Sequence, residues 1–77
     1  MKKITSKDVE RKADFVTSYL EYLIEVECEN NIWYLIYNYG FEGQDIVVAG
    51  TLSDCNNHLN YLIRKMGLKA DWVEENK

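Results

Sequence analysis

The sequence contains no proline, one histidine and only two cysteines. Without proline, turns have to be marked by glycine and by pairs of asparagine. Cys28 and Cys55 are too few for a disulfide framework, so we expect both to be buried thiols that act as small hydrophobic residues in a reducing compartment. No apolar run approaches the roughly 20 residues that span a bilayer, and no hydrophobic region follows the charged start, which predicts a cytoplasmic protein.

The sequence also lacks the motifs on which common catalytic and metal sites depend. It has no pair of CxxC motifs, no HExxH, no DxDxDG loop and no glycine-rich phosphate loop. His58 follows Cys55 by three residues, but catalytic Cys–His pairs normally come from separate elements, so we expect a partly buried histidine beside a helix core. Glu25 and Glu27 could share a hard cation, although solvated carboxylates are far commoner. We therefore expect a non-enzymatic protein with no catalytic residue, no metal site and no cofactor.

Basic residues are missing from the middle of the chain. Between residues 13 and 63 there is no lysine or arginine, and the same stretch holds eight acids: Asp14, Glu21, Glu25, Glu27, Glu29, Glu42, Asp45 and Asp54. The net charge of −4 disfavours direct binding to nucleic acid and to anionic membranes. Two interpretations of the acids are open: a solvated surface kept soluble by one sign of charge, or an acidic surface that a basic partner recognises.

The remaining composition is that of a folded domain. Of the 77 residues 47% are hydrophobic, and the two Trp, six Tyr and two Phe argue against disorder, which requires few aromatics. This length predicts one compact domain over residues 1–77, with residues 1–5 and 74–77 frayed at its ends.

The first periodic segment predicts a helix that begins with Ser6 as its N-cap and ends near Thr17–Ser18. Its apolar positions recur at spacings of four, three and four: Val9, Ala13, Val16 and Leu20. A strict alternation then starts at Leu20 and places glutamates on one side, which is the pattern of a half-buried strand. The alternative is one long helix over residues 6–29, which would move these acids to a helix face.

Asn30-Asn31 predicts a two-residue type I′ turn, because asparagine tolerates positive φ. A turn there pairs Glu29 with Ile32 and thereby determines the register of the whole hairpin. One face then carries only apolar and aromatic residues: Tyr22, Ile24, Val26, Cys28, Trp33, Leu35, Tyr37 and Tyr39. The opposite face mixes acids with exposed apolar residues: Leu23, Glu25, Glu27, Glu29, Ile32, Tyr34, Ile36 and Asn38.

The second half of the chain predicts a third strand and a second helix. Residues 45–50 are short and β-branched, which predicts a strand antiparallel to the second, with the orientation of its faces undecided. Ser53 is the predicted N-cap of the following helix and Gly67 its C′ residue. The apolar stripe of that helix is Cys55, Leu59, Leu62, Ile63 and Met66. Trp72 in the tail either closes the core or contacts a partner.

These elements predict an α+β fold, a single domain of order α-β-β-β-α, with a three-stranded antiparallel meander and both helices packed on one face. The opposite face is the candidate partner-binding surface, formed by Glu25, Glu27, Glu29, Tyr34 and Ile36. We expect a small acidic protein-binding module, such as an inhibitor that occupies the basic, nucleic-acid-binding surface of another protein, as small phage- or plasmid-encoded inhibitors do. The alternative is a structural domain that forms a homodimer through its sheet edges or its open face.

Overall fold

The computed structural model describes residues 3–21, 23–38 and 42–68. Its elements are α1 (Ser6–Thr17), β1 (Ile24–Glu29), β2 (Ile32–Tyr37), β3 (Asp45–Gly50) and α2 (Leu52–Lys65). The strands form one antiparallel sheet in the order β1-β2-β3. The predicted α-β-β-β-α order and three-stranded meander are therefore confirmed. Neither described helix is long and apolar enough to cross a membrane.

The first helix ends where the sequence predicts but is capped by a different residue. Thr5, not Ser6, is the N-cap: its hydroxyl accepts from the N–H of Asp8 at 3.3 Å, and the Asp8 carboxylate accepts from the N–H of Thr5 at 3.2 Å. This reciprocal box needs an acid or amide three residues after the cap, and Asp8 stands in that position only for Thr5. At the other end, the Ser18 hydroxyl donates to a carbonyl of the last turn at 2.6 Å, and α1 stops at Thr17.

The second helix repeats this arrangement. Thr51 is the N-cap in place of the predicted Ser53, because Asp54 lies three residues after Thr51 and closes the same box at 3.0 and 2.9 Å. Gly67 adopts a φ of 71°, as predicted for a C′ residue. The N–H groups of Gly67 and Leu68 bond to carbonyls of the last turn, and Leu68 packs against the core.

β1 begins later than the alternation in the sequence predicts, at Ile24 and not at Leu20. Residues 18–21 form turns, and Leu20 packs partly buried against the core without joining the sheet. The N–H of Ile24 donates to the Thr17 hydroxyl at 3.0 Å, so the end of α1 is tied directly to the start of β1. The alternation in the sequence therefore did not predict strand pairing correctly over this short connection, in which Leu20 and Leu23 are both partly buried. The interpretation as one long helix is wrong.

The hairpin register is confirmed. Asn30 and Asn31 have φ angles of 52° and 64°, as a type I′ turn requires. The six predicted pairs from Glu29 with Ile32 to Ile24 with Tyr37 are present. The predicted pair of Leu23 with Asn38 lies beyond the two strands: the Asn38 N–H donates to the Leu23 carbonyl, but Asn38 has a φ of 57° and leaves the strand. Tyr22 and Tyr39, the outermost predicted pair, lie outside the described residues, as do Trp72 and residues 74–77.

One hydrophobic core joins both helices to the same face of the sheet. Its buried members come from α1, α2, β1 and β2: Val9, Ala13, Val16, Ile24, Val26, Leu35, Cys55, Leu59 and Ile63. Trp33 and Tyr37 pack against this cluster partly buried, on the predicted core face. Cys55 is fully buried, as expected.

Cys28 corrects the expectation of two buried thiols, because it is exposed although its side chain lies on the core face. All residues from Glu27 to Ile32 are exposed, so the hairpin tip extends beyond the layer that the helices cover. The two faces of β3 are also settled. Val48 pairs with Leu35 on the core side, Ile46 pairs with Ile36 on the other, and the register shift between these pairs leaves Val47 as the extra residue of a bulge.

Candidate protein-binding face

We call the sheet face opposite α1 and α2 the outer face. The strand register determines its members: Glu25, Glu27 and Glu29 from β1, Ile32, Tyr34 and Ile36 from β2, and Ile46 and Ala49 from β3. Both described helices pack on the other side of the sheet, against the core residues of β1 and β2. The candidate site is therefore an acidic row beside an apolar strip.

The acidic row extends onto the neighbouring helix. Glu27 and Glu29 are exposed, whereas Glu25 is partly buried. Burial raises the pKa of Glu25, and the carboxylates of Asp14 and Glu10 in α1 raise it further, followed by that of Glu27. Glu25 thus interacts electrostatically with the charges of α1 as well as with those of its own strand. We call these five carboxylates the acidic ridge.

Sequence analysis did not place Glu10 and Asp14 at the site. The two residues are one helical turn apart, so they lie on the same side of α1, and both are exposed. Their spacing was visible in the sequence, but which side of α1 lies near β1 depends on how the helix packs across the sheet. Only the tertiary structure supplies that information.

The apolar part of the outer face differs from the prediction in one residue. Ile46 is 53% exposed and Ile32 42% exposed, whereas Ile36 is only 4% exposed. Ile36 lies in the central strand, where Glu25 on one side and Ile46 on the other share its face. Ile36 therefore offers almost no contact area, and Ile46, which sequence analysis did not single out, contributes more. Tyr34 is partly buried.

Cys55 and His58 do not form an activated thiol pair. Burial, with a smaller contribution from Asp54, raises the pKa of Cys55 to about 11, so the thiol is protonated at neutral pH. His58 is partly buried, as predicted, and its Nε2 lies 2.8 Å from the hydroxyl of Tyr37. Burial lowers the pKa of His58, which keeps the ring neutral at pH 7. A neutral thiol and a neutral imidazole bonded elsewhere provide no thiolate for nucleophilic attack.

A buried polar group between the helices was not predicted either. Lys12 is fully buried, and its Nζ donates to Oδ1 of Asn56 at 2.6 Å. Burial lowers the pKa of Lys12, and the Asp8 carboxylate partly opposes this. One turn later in α2, the Oδ1 atom of Asn60 is buried without a hydrogen-bond partner in the described part of the chain. A lysine in an amphipathic pattern is normally assigned to the surface, so the sequence offered no signal for this contact.

Within residues 3–21, 23–38 and 42–68, no group of three or more His, Cys, Asp or Glu side chains is arranged to hold a metal ion. The carboxylates of the outer face can accept hydrogen bonds from ammonium and guanidinium groups, and the apolar residues beside them can be buried in a contact.

No family model, curated protein or solved structure matches this chain.

Proposed function

We propose that this chain is a small acidic protein-binding module that uses its outer face and acidic ridge to bind a basic surface of a partner protein. The observation that carries the proposal is the alignment of Glu25, Glu27 and Glu29 on the sheet face opposite the one on which both described helices pack. Basic surfaces of this kind are typical of proteins that bind nucleic acid. The specific form of the proposal is an inhibitor that occupies such a surface, as small phage-encoded inhibitors do.

The energetics of the acidic ridge support this interpretation. Burial and three neighbouring carboxylates raise the pKa of Glu25, so they disfavour its ionised form. Repulsion of this kind destabilises the folded state, and residues that weaken stability are often retained for function. A partner that brings lysine or arginine to the ridge would replace repulsion by attraction. It would also speed association through long-range attraction.

The apolar strip beside the acidic ridge also supports the proposal that the outer face binds a protein. Protein interfaces combine an apolar centre with a polar rim, and exposed Ile32 and Ile46 can supply such a centre here. Tyr34, which pairs with Glu27, adds an aromatic ring of the type enriched among residues that dominate binding energy. A surface kept acidic only for solubility would not need isoleucines exposed on the same face.

The test compares two variants with equal changes in charge. The first carries Glu25→Gln, Glu27→Gln and Glu29→Gln. The matched control carries Glu21→Gln, Glu42→Gln and Asp45→Asn, three acids that are also exposed. Each immobilised variant is incubated with lysate of the cells in which the chain is native, and retained proteins are quantified by mass spectrometry.

We expect a basic protein that wild type and control retain and that the outer-face variant loses at least tenfold. The purified partner should then release its nucleic acid when the wild-type chain is added, measured by fluorescence anisotropy of a labelled oligonucleotide. If the outer-face variant retains every partner of the wild type, the binding proposal is wrong. If the outer-face variant loses a partner, but that purified partner keeps its nucleic acid when the wild-type chain is added, the inhibitor form of the proposal is wrong.

A further inference from the structure

β1 lies at one edge of the sheet, and the hairpin register determines which of its backbone groups point away from β2. In a two-residue hairpin, the residues that flank the turn exchange both backbone hydrogen bonds, and every second pair does so again. The odd-numbered residues of β1 therefore bond to β2. The bond from the Asn38 N–H to the Leu23 carbonyl, 2.7 Å long, continues this series. The N–H and C=O groups of Val26 and Cys28 consequently point away from the sheet.

This edge is closed at one end and open at the other. At its start, the outward N–H of Ile24 already donates to the Thr17 hydroxyl at 3.0 Å, and Ile24 is fully buried. At its end, Glu27, Cys28 and Glu29 are exposed, whereas Val26, where the open part begins, is 9% exposed and its side chain belongs to the core. Within the described ranges of the chain, the outward groups of Val26 and Cys28 have no hydrogen-bond partner. We call residues 26–29 of β1 the free edge.

Proline, a bulge, an inward-pointing charge and charged side chains, above all lysine, are features that normally prevent strand addition. Of these the free edge has only the carboxylates of Glu27 and Glu29, which repel acidic strands and attract basic ones. The sequence of β1 is IEVECE and its pairing with β2 is regular. The opposite edge strand, β3, is irregular because Val47 forms a bulge. Of the two edge strands, β1 is therefore the one suited to accept another strand.

We propose that the partner protein adds a short basic strand to the free edge, with lysine or arginine at alternate positions beside Glu27 and Glu29. This inference rests on the proposed function, because it uses the same acidic ridge. Residues directly opposite on neighbouring strands have Cβ atoms about 4.5–5.5 Å apart, so each basic side chain of the added strand would pair with a glutamate. The main-chain bonds to Val26 and Cys28 supply affinity, and the glutamates select the sequence.

The charges also exclude a second copy of this chain from the same position. Antiparallel pairing of two β1 strands would place glutamates of one copy opposite glutamates of the other. Like charges directly opposite each other destabilise a strand pair. The row of acids therefore favours pairing of the free edge with a basic strand and disfavours pairing with β1 of another molecule.

The experiment uses the synthetic peptide TKVKVKT, acetylated and amidated at its ends, which presents lysines on one face and valines on the other. In the proposed register the valines exchange backbone bonds with Val26 and Cys28. A second peptide of the same sequence carries N-methyl groups on the two valine amides, which removes these donors and leaves the charges unchanged. Binding of each labelled peptide to the wild-type chain is measured by fluorescence anisotropy.

We expect N-methylation to weaken binding about tenfold, the loss of two backbone hydrogen bonds of ordinary strength. On the protein side, Cys28→Pro should weaken binding of the unmethylated peptide about threefold, because proline removes one outward N–H, that of an exposed edge residue. Cys28→Ser, which also removes the thiol, should bind like wild type. Amide hydrogen exchange at Cys28 should slow when the unmethylated peptide is bound.

The outcomes separate this inference from the proposed function. Equal binding of both peptides, or no binding of either, overturns strand addition. The test does not depend on the proline variant, because both peptides are measured on the wild-type chain. If the two peptides bind equally but bind less well to the variant with Glu25→Gln, Glu27→Gln and Glu29→Gln, the acidic surface is real and only the strand mode is wrong. If that variant also keeps every partner from lysate, the proposed function fails as well.

Discussion

Lys12 lies between the two helices with its side chain fully buried and its Nζ bonded to Asn56 at 2.6 Å. A buried ammonium group loses its hydration, and one amide oxygen replaces only part of it. Such polar pairs stabilise a fold less than well-packed apolar residues do, but breaking one by removing a single partner is strongly unfavourable. Asn60, whose buried Oδ1 is unpartnered in the described chain, adds to the polar character of this interface.

We predict that Asn56→Leu alone destabilises the protein by roughly 1–3 kcal/mol, because it leaves the buried Nζ of Lys12 without its acceptor. The double variant Lys12→Met/Asn56→Leu should regain wild-type stability or exceed it, because the buried ammonium group and the amide that it bonds to are both replaced by apolar side chains. Urea unfolding of the wild type, both single variants and the double variant measures the coupling. A double variant as unstable as Asn56→Leu would show that the pair is not an isolated polar contact.

Glu25 provides a prediction about pH. Burial, Asp14, Glu10 and Glu27 raise its pKa in the folded state, so the folded chain binds this proton more tightly than the unfolded chain does. The resulting destabilisation is fully present above the folded pKa and is relieved as the pH falls through it towards the unfolded value of about 4.5. Glu25→Gln should therefore stabilise the protein at pH 7, by no more than about 0.5 kcal/mol because solvent screens the interactions of a partly exposed carboxylate.

The measurement is the unfolding free energy of Glu25→Gln and wild type across pH 4 to 8. The two curves should converge towards the acid end, where wild-type Glu25 becomes neutral as well. Glu42→Gln serves as control, since Glu42 is exposed and contributes nothing to the pKa of Glu25. A stabilisation of Glu25→Gln that persists unchanged at pH 4 would mean that charge is not its cause.

At the scale of elements, the junction between β3 and α2 shows how closely a strand end and a helix cap are packed. Gly50 ends β3, and Thr51 and Asp54 form the capping box of α2. A Cβ atom on residue 50 would collide with the carboxylate of Asp54, the group that accepts from the N–H of Thr51. A side chain at position 50 and an intact capping box are therefore incompatible.

We predict that Gly50→Ala destabilises the protein by about 1 kcal/mol, similar to Asp54→Ala, because each removes the bond from the Thr51 N–H to the Asp54 carboxylate. The double variant should be little worse than either single variant, since the same interaction cannot be lost twice. Thermal unfolding of the three variants tests this. Full additivity would show that Gly50→Ala acts elsewhere, and Ser53→Ala is the control that should leave stability almost unchanged, since Ser53 is exposed and is not the cap.

The turns and the ends of helices and strands could be predicted correctly where the conformational preference of neighbouring residues left one choice. Asn30-Asn31 predicted the hairpin and its whole register correctly, because only a few residue types adopt two successive positive φ angles. The N-caps were wrong because hydroxyl residues stand close together at both helix starts. The acid three residues later identifies the right one, Thr5 or Thr51. The start of β1 was wrong because an alternation in the sequence does not by itself require pairing with another strand.

At the scale of the whole molecule, the net charge of −4 and the acidic ridge predict a response to salt. Raising the ionic strength from about 0.01 M to 0.15 M shortens the screening length from about 30 Å to about 8 Å, which weakens repulsion among the exposed acids. We predict that the melting temperature rises over this range. Partner binding through the same carboxylates should weaken over it, because attraction is screened equally.

Melting curves and binding titrations in sodium chloride measure the two effects on one sample. A melting temperature that rises with salt and a partner affinity that falls with salt would indicate that the same charges oppose folding and favour binding. A melting temperature that falls with salt would mean that attraction between the acids and the terminal lysines and arginines outweighs repulsion. Light scattering across the micromolar range should show a concentration-independent monomer. A dimer under these conditions would favour the self-association alternative.

The sequence by itself determined the order of elements, the apolar stripes of both helices, the hairpin register and the face on which Glu25, Glu27 and Glu29 lie. These features follow from residue spacing and turn chemistry, which act over a few neighbouring residues. It also determined the charge segregation from which the binding proposal starts.

Only the tertiary structure decided how far that face is open and what surrounds it. The exposure of Cys28 and the burial of Lys12 depend on where the helices end and which sides they turn towards each other. The burial of Ile36 and the proximity of Asp14 to Glu25 depend on contacts between segments distant in the chain. Residue spacing describes one element at a time, whereas exposure is set by whichever other element packs against it.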